Sequence, residues 1–171
     1  MNVFGITGYS GAGKTTLIEK LIPLVQAGGL SVSLIKHAHH EFDIDKPGKD
    51  SYRMREAGAV EVLLAGGARW VLMHELRGDQ EPELKAQLAR MTPVDLVLVE
   101  GYRRAPIPKL EVWRGAVGQP PRYPYDDTIV GVAIDGLGPE GCTLPMLQLS
   151  QPEDIAAFVL QHASPVSALH F

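Results

Sequence analysis

The chain has 171 residues, of which 45% are hydrophobic and 21% charged, values that are typical of one soluble globular domain. The net charge is −4, and the sequence contains no basic run interleaved with aromatic residues. Both observations argue against nucleic acid and anionic membranes as partners. No apolar stretch approaches membrane-spanning length, and a first strand beginning at residue 3 leaves no room for a signal peptide, so we predict a cytoplasmic protein.

The first distinctive segment is GYSGAGKT at residues 8–15, which matches the P-loop pattern G-x-x-x-x-G-K-[ST]. It follows an apolar run at residues 3–7 that is typical of a buried strand. It opens into residues 14–27, where apolar side chains recur at helical spacing before Gly28. A phosphate-binding loop requires this strand–loop–helix context, so the segment predicts a nucleotide site.

Glycines at three positions of this loop allow successive backbone N–H groups to converge on a phosphate at the start of the helix. In this pattern the Lys14 ammonium reaches the β- and γ-phosphates, and the Thr15 hydroxyl binds Mg²⁺. The Thr16 hydroxyl is placed to hydrogen-bond an inner phosphate. The predicted nucleotide-binding residues of the loop are therefore Gly8, Ser10, Gly11, Ala12, Gly13, Lys14, Thr15 and Thr16.

Strands and helices are predicted to alternate along the rest of the chain. Apolar runs typical of strands occur at residues 31–36, 60–65, 70–74, 94–99, 109–113, 129–134 and 146–149. Helices are predicted at residues 50–57, at residues 83–91 and, from a capping box at 150–153, up to residue 162. Residues 37–49 and 114–127 are predicted loops, and the tail after residue 162 is expected to fray.

This alternation predicts an α/β fold of the P-loop NTPase type, with a mainly parallel sheet flanked by helices. A short glycine-containing turn separates the strands at 60–65 and 70–74, which are predicted to form an inserted hairpin of about residues 60–75. The sequence contains no internal repeat and no linker between domains. Residues 1–171 are therefore predicted to form a single nucleotide-binding domain.

Residues 95–101, with the sequence DLVLVEG, have the form of a Walker B strand, an apolar run that delivers a carboxylate to the Mg²⁺ of a P-loop site. Glu100 is the better candidate because it lies at the carboxyl end of the strand, where ligands bind in parallel α/β sheets. Asp95 begins the same strand and is expected at the opposite edge of the sheet, as a junction residue. Glu100 and Thr15 are thus the predicted metal ligands.

A cluster of histidines at residues 37–40 follows the second predicted strand and precedes two aspartates. The cluster lacks the fixed helical spacing of a zinc motif, and alternation along a strand would send His37 and His39 to one face and His40 to the other. A switch loop that senses phosphate is the favoured interpretation, because charged residues flank the cluster. A metal site and a solvated loop without a role are the alternatives.

The sequence contains no N-K-x-D motif for reading guanine. Asp135 follows the apolar run at 129–134, at a strand end where a carboxylate can pair with the edge of a guanine base, so it joins the predicted nucleotide-binding residues. A turn aspartate before Gly136 is the alternative. The motifs alone therefore leave the choice between guanine and adenine open.

Five segments together resemble the molybdopterin-guanine dinucleotide biosynthesis adaptor family, MobB. They are residues 8–16, KHAHH at 36–40, DKPGKDS at 45–51, VEGY at 99–102 and PKLEV at 108–112. The match runs from the amino terminus to about residue 113, and its most specific part is the histidine cluster followed by Pro-Gly-Lys-Asp-Ser. In the family, phenylalanine and lysine commonly follow the glutamate and glycine, whereas Tyr102 and Arg103 stand here.

The resemblance implies a GTP-binding homodimer that has weak GTPase activity and assists the guanylyltransferase that attaches GMP to molybdopterin, while the expectation of Mg²⁺ comes from the motifs above. Molybdopterin-loaded proteins are further expected partners. The resemblance also places the histidine loop, including His37, and the loop that ends at Asp50 near the nucleotide phosphates or a partner-facing surface. Lys14, Glu100 and Asp50 are the residues expected to act in hydrolysis.

Two other functions fit the same P-loop. A small-molecule or nucleoside kinase uses it to transfer a phosphoryl group to a bound acceptor, and a nucleotide-gated binding module uses it without turnover. An arginine-rich lid between strands would favour the kinase, and none is evident in the sequence. Slow hydrolysis without an acceptor would favour the adaptor.

The inserted hairpin bears on assembly independently of the resemblance. Residues 70–73 read WVLM, a run too hydrophobic for a solvated hairpin at a sheet edge. An exposed apolar edge of this kind invites pairing with another chain. We therefore expect the region of residues 60–75 to be buried against a second copy of the chain.

Overall fold

The computed structural model describes residues 1–38 and 42–169. The chain folds into two compact units, one formed by Met1–His37 and Arg90–Phe171 and the other by Ala38–Ala89. Whether the two units together act as the single domain expected from the sequence stays a prediction. In the described residues, no helix combines the length and the apolar character needed to cross a membrane.

The described residues contain nine strands and four α-helices. The strands are β1 (Asn2–Thr7), β2 (Val32–Lys36), β3 (Glu61–Ala65), β4 (Trp70–His74), β5 (Leu96–Glu100), β6 (Lys109–Trp113), β7 (Ile129–Ile134), β8 (Met146–Gln148) and β9 (Ser164–Pro165). The α-helices are α1 (Lys14–Ala27), α2 (Asp50–Glu56), α3 (Leu84–Arg90) and α4 (Pro152–His162).

The first unit is built on a mainly parallel sheet with the order β2-β5-β1-β6-β7-β8, which confirms the predicted fold class. β1 lies inside the sheet and pairs with β5 on one side and β6 on the other. The loop that leaves its carboxyl end therefore starts from a fixed position. β5 is buried along its whole length, as expected for a strand that is covered on both faces. The order brings the carboxyl ends of β1, β2 and β5 to one edge of the sheet.

Helices α1 and α4 pack their apolar faces into one hydrophobic core with the sheet. Leu17 and Leu21 of α1 and Ile155 of α4 are almost completely buried in it, together with Phe4 and Ile6 of β1. Burying a side chain of this kind contributes roughly 1.5–3 kcal/mol relative to leaving it exposed. The strand that precedes the glycine-rich loop and the helix that follows it are therefore both fixed by the core.

The carboxyl-terminal segment differs from the sequence prediction in two respects. Residues 150–153 do not form a capping box, because α4 begins after Gln151 without a side-chain cap and Pro152 takes the first helical position, where a missing N–H is tolerated. The tail does not fray over its described part. β9 pairs antiparallel with Asn2 and Val3, because β6 pairs with β1 from Gly5 onward and leaves that stretch of edge open.

The loop at 114–127 contains two short 3₁₀ helices, Gly115–Val117 and Tyr123–Tyr125. The completely buried Glu111 of β6 fixes its second half, since the carboxylate accepts hydrogen bonds from the backbone N–H groups of Arg122 and Tyr123 at 2.8–2.9 Å. Burial raises the pKa of Glu111, and these hydrogen bonds oppose the rise. The loop is therefore tied to the sheet next to β1.

The second unit contains the hairpin of β3 and β4, in which Leu63 lies opposite Leu72. Both leucines and Trp70 are exposed. A cluster of charges holds α2 in the same unit, because the buried Arg55 guanidinium contacts three carboxylates. These are Asp45 at 2.6 Å, Asp43 at 2.9 Å and Glu75 at 2.8 Å.

Candidate nucleotide-binding site

The glycine-rich loop connects β1 to α1 along a path that requires glycine at Gly8. The φ angle of Gly8 is 136°, and a Cβ there would lie 2.4 Å from the backbone oxygen of Val112 in β6. Gly13 precedes the first residue of α1 in the left-handed conformation. The N-terminus of α1 and the loop backbone thus lie at the carboxyl edge of the sheet, where N–H groups of this kind bind phosphate.

Lys14 folds back over the loop that contains it. Its Nζ donates a hydrogen bond of 2.9 Å to the carbonyl oxygen of Tyr9, and the Ala12 N–H donates to the same oxygen at 3.2 Å. Burial lowers the pKa of Lys14, the Glu100 carboxylate opposes this, and the charges of Arg122 and Lys36 add to the lowering. A cation crowded by other cations is well suited to an anionic ligand.

Thr15, Glu100 and Lys36 meet at the carboxyl ends of β5 and β2. The Thr15 Oγ1 lies 3.4 Å from each carboxylate oxygen of Glu100, which is 8% exposed. The Lys36 Nζ lies 3.3 Å from Glu100 Oε2 and 3.5 Å from Thr15 Oγ1. A hydroxyl and a carboxylate are the oxygen donors that Mg²⁺ prefers, and a cationic group already lies against both, so the residues fit a bound cation.

His37 and Gly101 bring the ends of β2 and β5 into direct contact. The His37 N–H donates to the carbonyl of Glu100 at 2.8 Å, and a Cβ on Gly101, whose φ is 98°, would lie 2.5 Å from the Cβ of His37. The His37 ring packs against Tyr102, with ring centroids 4.8 Å apart. His37 is therefore adjacent to Glu100 through the backbone.

The rest of the histidine cluster, His39 and His40, lies outside the described residues. The two aspartates that follow it, Asp43 and Asp45, both contact Arg55. Within residues 1–38 and 42–169, the side chains of histidine, cysteine, aspartate and glutamate form no group of three or more that could hold a metal ion.

Asp135 follows β7 on the other side of the loop, at the same edge of the sheet. Its carboxylate lies 3.7 Å from Nη1 of Arg114, the residue that follows β6. The Arg114 guanidinium also lies against the loop, since a Cβ on Gly13 would be 3.2 Å from its Nη2. Arg114 thus connects the loop to the carboxylate that we predicted to read the base.

Two other carboxylates considered in the sequence analysis make separate contacts. Asp95 immediately precedes β5, and its carboxylate accepts hydrogen bonds from the N–H and the hydroxyl of Ser31 at 2.8 and 2.6 Å, as expected for a junction residue. Asp50 begins α2 in the second unit, where its side chain is 95% exposed and lies 3.9 Å from Arg53. The role of Asp50 in hydrolysis stays a prediction.

The sequence analysis did not single out Lys36, Arg114 or Arg122 as site residues. The Arg122 guanidinium lies 3.8 Å from the centre of the Tyr9 ring, directly on the glycine-rich loop. Arg114 and Arg122 belong to a proline-rich loop without periodicity, so the sequence carried no local signal for them. The only available signal was Glu111, a carboxylate within an apolar strand.

A glycine-rich loop between the first strand and a helix, with a carboxylate at the end of a neighbouring parallel strand, defines a fold of the P-loop NTPase type. A family model described as "Molybdopterin guanine dinucleotide synthesis protein B" matches residues 3–135. The chain belongs to this family, MobB.

Relatives and solved structures agree with this assignment. The chain is 39% identical over 162 residues to the molybdopterin-guanine dinucleotide biosynthesis adapter protein of Escherichia coli (strain K12), with 93% of this chain and 91% of that protein covered. It is 43% identical over 157 residues to the protein of the same name from Haemophilus influenzae, covering 92% and 86%. The crystal structure of Bacillus subtilis MobB has the same fold, with a TM-score of 0.74, 22% identity and coverage of 96% and 99%.

Proposed function

We propose that this protein is a GTP-binding adaptor with weak GTPase activity, which assists the attachment of GMP to molybdopterin in the cytoplasm. Membership of the MobB family and the adapter role named for the relatives from Escherichia coli and Haemophilus influenzae support this role. The main support for a nucleotide site is that the side chains of Thr15, Glu100 and Lys36 lie in contact at the end of the glycine-rich loop.

The loop backbone, Lys14, Thr15 and Glu100 have separate tasks in this proposal. The N–H groups at the start of α1 bind the phosphates, and Lys14 exchanges its bond to the Tyr9 carbonyl for the β- and γ-phosphates. Thr15 and Glu100 would hold Mg²⁺, with the Lys36 ammonium giving up its place. When bound, Mg²⁺ neutralises and orients the phosphate oxygens.

The base-reading part of the proposal rests on Asp135. A carboxylate can accept hydrogen bonds from the two neighbouring N–H groups on the edge of guanine, whereas adenine offers no such pair to it. The contact of Asp135 with Arg114 is long, at 3.7 Å, and more than half of the Asp135 side chain is exposed. Such a pair separates at little cost when a base arrives.

The assembly part of the proposal rests on the hairpin of β3 and β4. Leu63, Leu72 and Trp70 expose a compact apolar surface in the second unit. We propose that this surface is buried in a homodimer. The guanylyltransferase and molybdopterin-loaded proteins are the further partners that we propose, since the relatives are named as adapters of this biosynthesis.

Titration calorimetry with GTP, GDP, ATP and ADP, each with and without Mg²⁺, tests the nucleotide site. We expect guanine nucleotides to bind more tightly than adenine nucleotides, and Lys14→Ala to lose at least about tenfold in affinity, because one charge-assisted contact contributes about 1.5–3 kcal/mol. Asp95→Asn, at the opposite end of β5, is the control and should bind normally. Normal binding by Lys14→Ala would contradict the site.

Hydrolysis of GTP by the isolated protein separates the adaptor from the kinase. We expect slow turnover without an acceptor, well below the range of about 1–100 per second that is typical of kinases. Rapid phosphoryl transfer to a small-molecule acceptor would overturn the adaptor proposal and leave the nucleotide site intact.

A further inference from the structure

Two cationic side chains converge on Tyr9, the second residue of the glycine-rich loop. The Lys14 Nζ hydrogen-bonds the Tyr9 carbonyl at 2.9 Å, and the Arg122 guanidinium lies 3.8 Å from the centre of the Tyr9 ring. The P-loop lysine marks the end of the loop that receives the β- and γ-phosphates. Arg122 therefore lies at the terminal-phosphate end of the candidate site.

The backbone that carries Arg122 is held in place by a buried acid. Both carboxylate oxygens of Glu111 accept the Arg122 N–H, at 2.8 and 2.9 Å, and one of them also accepts the Tyr123 N–H at 2.9 Å. Glu111 is completely buried in β6, the strand next to β1. The Glu111 carboxylate binds the backbone N–H of Arg122, and the Arg122 side chain extends over the glycine-rich loop.

One donor of the Arg122 guanidinium is unsatisfied by the described residues where the group lies. In the described part of the chain, the Arg122 Nε is buried without a hydrogen-bond partner, and the contact with the Tyr9 ring is of the cation–π type. A cation–π contact engages the face of the guanidinium and leaves its in-plane N–H groups available. An anion with several oxygens beside Tyr9 would satisfy them.

We propose that Arg122 binds the terminal phosphate of the nucleotide from within the chain and stabilises the charge that develops there during hydrolysis. The proposal rests on the GTP site proposed above.

In the hydrolytic step a water oxygen bonds to the γ-phosphorus, and the bond to the β–γ bridging oxygen breaks with its electron pair leaving on GDP. One water proton stays on the inorganic phosphate and the other is released to solvent. A planar guanidinium pairs with two phosphate oxygens at once, and an arginine supplied by the same chain is a known arrangement among nucleotide hydrolases.

The test compares Arg122→Ala and Arg122→Lys with wild type in two measurements. The first is the ratio of GTP to GDP affinity with Mg²⁺, and the second is the rate of single-turnover hydrolysis at saturating GTP. Arg90→Ala removes an exposed arginine at the end of α3 and is the charge-matched control. Circular dichroism establishes that each variant is folded.

We expect Arg122→Ala to lose at least about tenfold in GTP affinity, less than about threefold in GDP affinity and about a hundredfold or more in hydrolysis rate. Arg122→Lys should recover part of the GTP affinity and little of the rate, because an ammonium lacks the planar pair of donors. Wild-type values in Arg122→Ala, or equal losses for both nucleotides, would overturn the role of Arg122 while leaving the GTP site standing. If Arg122→Ala fails to fold, Arg122→Lys decides: wild-type hydrolysis would overturn the proposal. Failure of wild type to bind either nucleotide would overturn the proposed function and this role together.

Discussion

Lys36 places its ammonium group 3.3 Å from the Glu100 carboxylate, at the position where a metal ion would meet Glu100 and Thr15. More than half of the Lys36 side chain is exposed, so the ammonium can withdraw into solvent. Because the lysine end of this pair is solvated while Glu100 is buried, its contribution is close to that of a surface ion pair, about 0.2–1 kcal/mol. In the proposed site, the lysine would therefore be a weak internal competitor for the cation.

Replacing this lysine should make Mg²⁺ bind more easily. For Lys36→Met we expect the Mg²⁺ concentration that gives half-maximal GTP binding to fall about two- to fivefold, the equivalent of removing one exposed ion pair. A magnesium titration at fixed GTP measures this value. An increase in the required Mg²⁺ would mean that Lys36 contributes to ligand binding instead of competing with the metal.

Glu100→Gln should have the opposite effect. The amide keeps the size of the side chain and removes the negative charge, so we expect at least about a tenfold higher Mg²⁺ requirement and an unchanged GTP affinity in EDTA. Asp95→Asn changes a carboxylate on the same strand at the far edge and serves as the matched control. An unaltered magnesium titration in Glu100→Gln would exclude this carboxylate as a metal ligand.

Two glycines of the loop offer a matched pair for stability. Gly8→Ala should destabilise the protein by more than about 3 kcal/mol, because φ is 136° and the new Cβ would lie 2.4 Å from a backbone oxygen. Gly11→Ala meets open space at a φ of 78° and should cost only about 1–2 kcal/mol. Urea unfolding of both variants provides the comparison. Equal losses of unfolding free energy in the two variants would show that the close approach of Gly8 to the Val112 backbone does not require glycine at position 8.

The exposed hairpin predicts a dimer that one charge can disrupt. Leu72→Glu places a carboxylate on the apolar surface that Leu72 shares with Leu63, and we expect it to shift the protein toward monomer or aggregate. Leu137→Glu alters an even more exposed leucine in the other unit and should leave assembly unchanged. Light scattering distinguishes the states. A wild-type protein of 18.6 kDa at micromolar concentration would contradict the dimer.

The Arg55 cluster predicts acid sensitivity of the second unit. The hydrogen bond from Arg55 holds the pKa of Asp45 below its ordinary value of 3.8. The unfolded chain therefore takes up a proton at this group before the folded protein does, and the stabilisation is present above about pH 4 and lost as the pH falls through the lowered pKa.

Asp45→Asn tests this prediction. We expect it to lower stability at pH 7 and to flatten the further loss between pH 5 and about pH 2, measured by urea unfolding at each pH. Asp127→Asn, which removes an exposed aspartate of the other unit, is the control. A variant that keeps the full acid dependence of wild type would show that other groups cause it.

The sequence predicted those parts of the fold that depend on local pattern. The apolar runs at residues 3–7 and 94–99 and the helical spacing at 14–27 correspond to β1, β5 and α1, because an unbroken apolar run and a helical repeat of apolar side chains can both be recognised directly in the residue order. The position of β5 between β1 and β2 had no such local signal. Strand order is decided by packing between segments that are distant in the chain.

The residues of the candidate site also fall into two groups, those positioned by a local motif and those positioned by contacts with distant parts of the chain. Lys14, Thr15 and Glu100 were predictable because a short motif or a strand end positions each of them. Arg122 was not, because its place on the loop depends on hydrogen bonds to Glu111, eleven residues earlier in the chain. The wrong prediction of a capping box at 150–153 has a comparable cause, since Pro152 fixes the helix start in preference to Ser150.

The short pairing of β9 with the start of β1 shields a strand edge that would otherwise be open. Asn2 and Val3 carry backbone groups that β6 does not reach, and Ser164 and Pro165 cover them. Unpaired strand edges are sites of chain-to-chain association. Trimming the chain after α4 should therefore leave the edge that carries the glycine-rich loop intact and produce a protein with a new tendency to self-associate, which matters for anyone shortening this sequence for crystallisation or fusion.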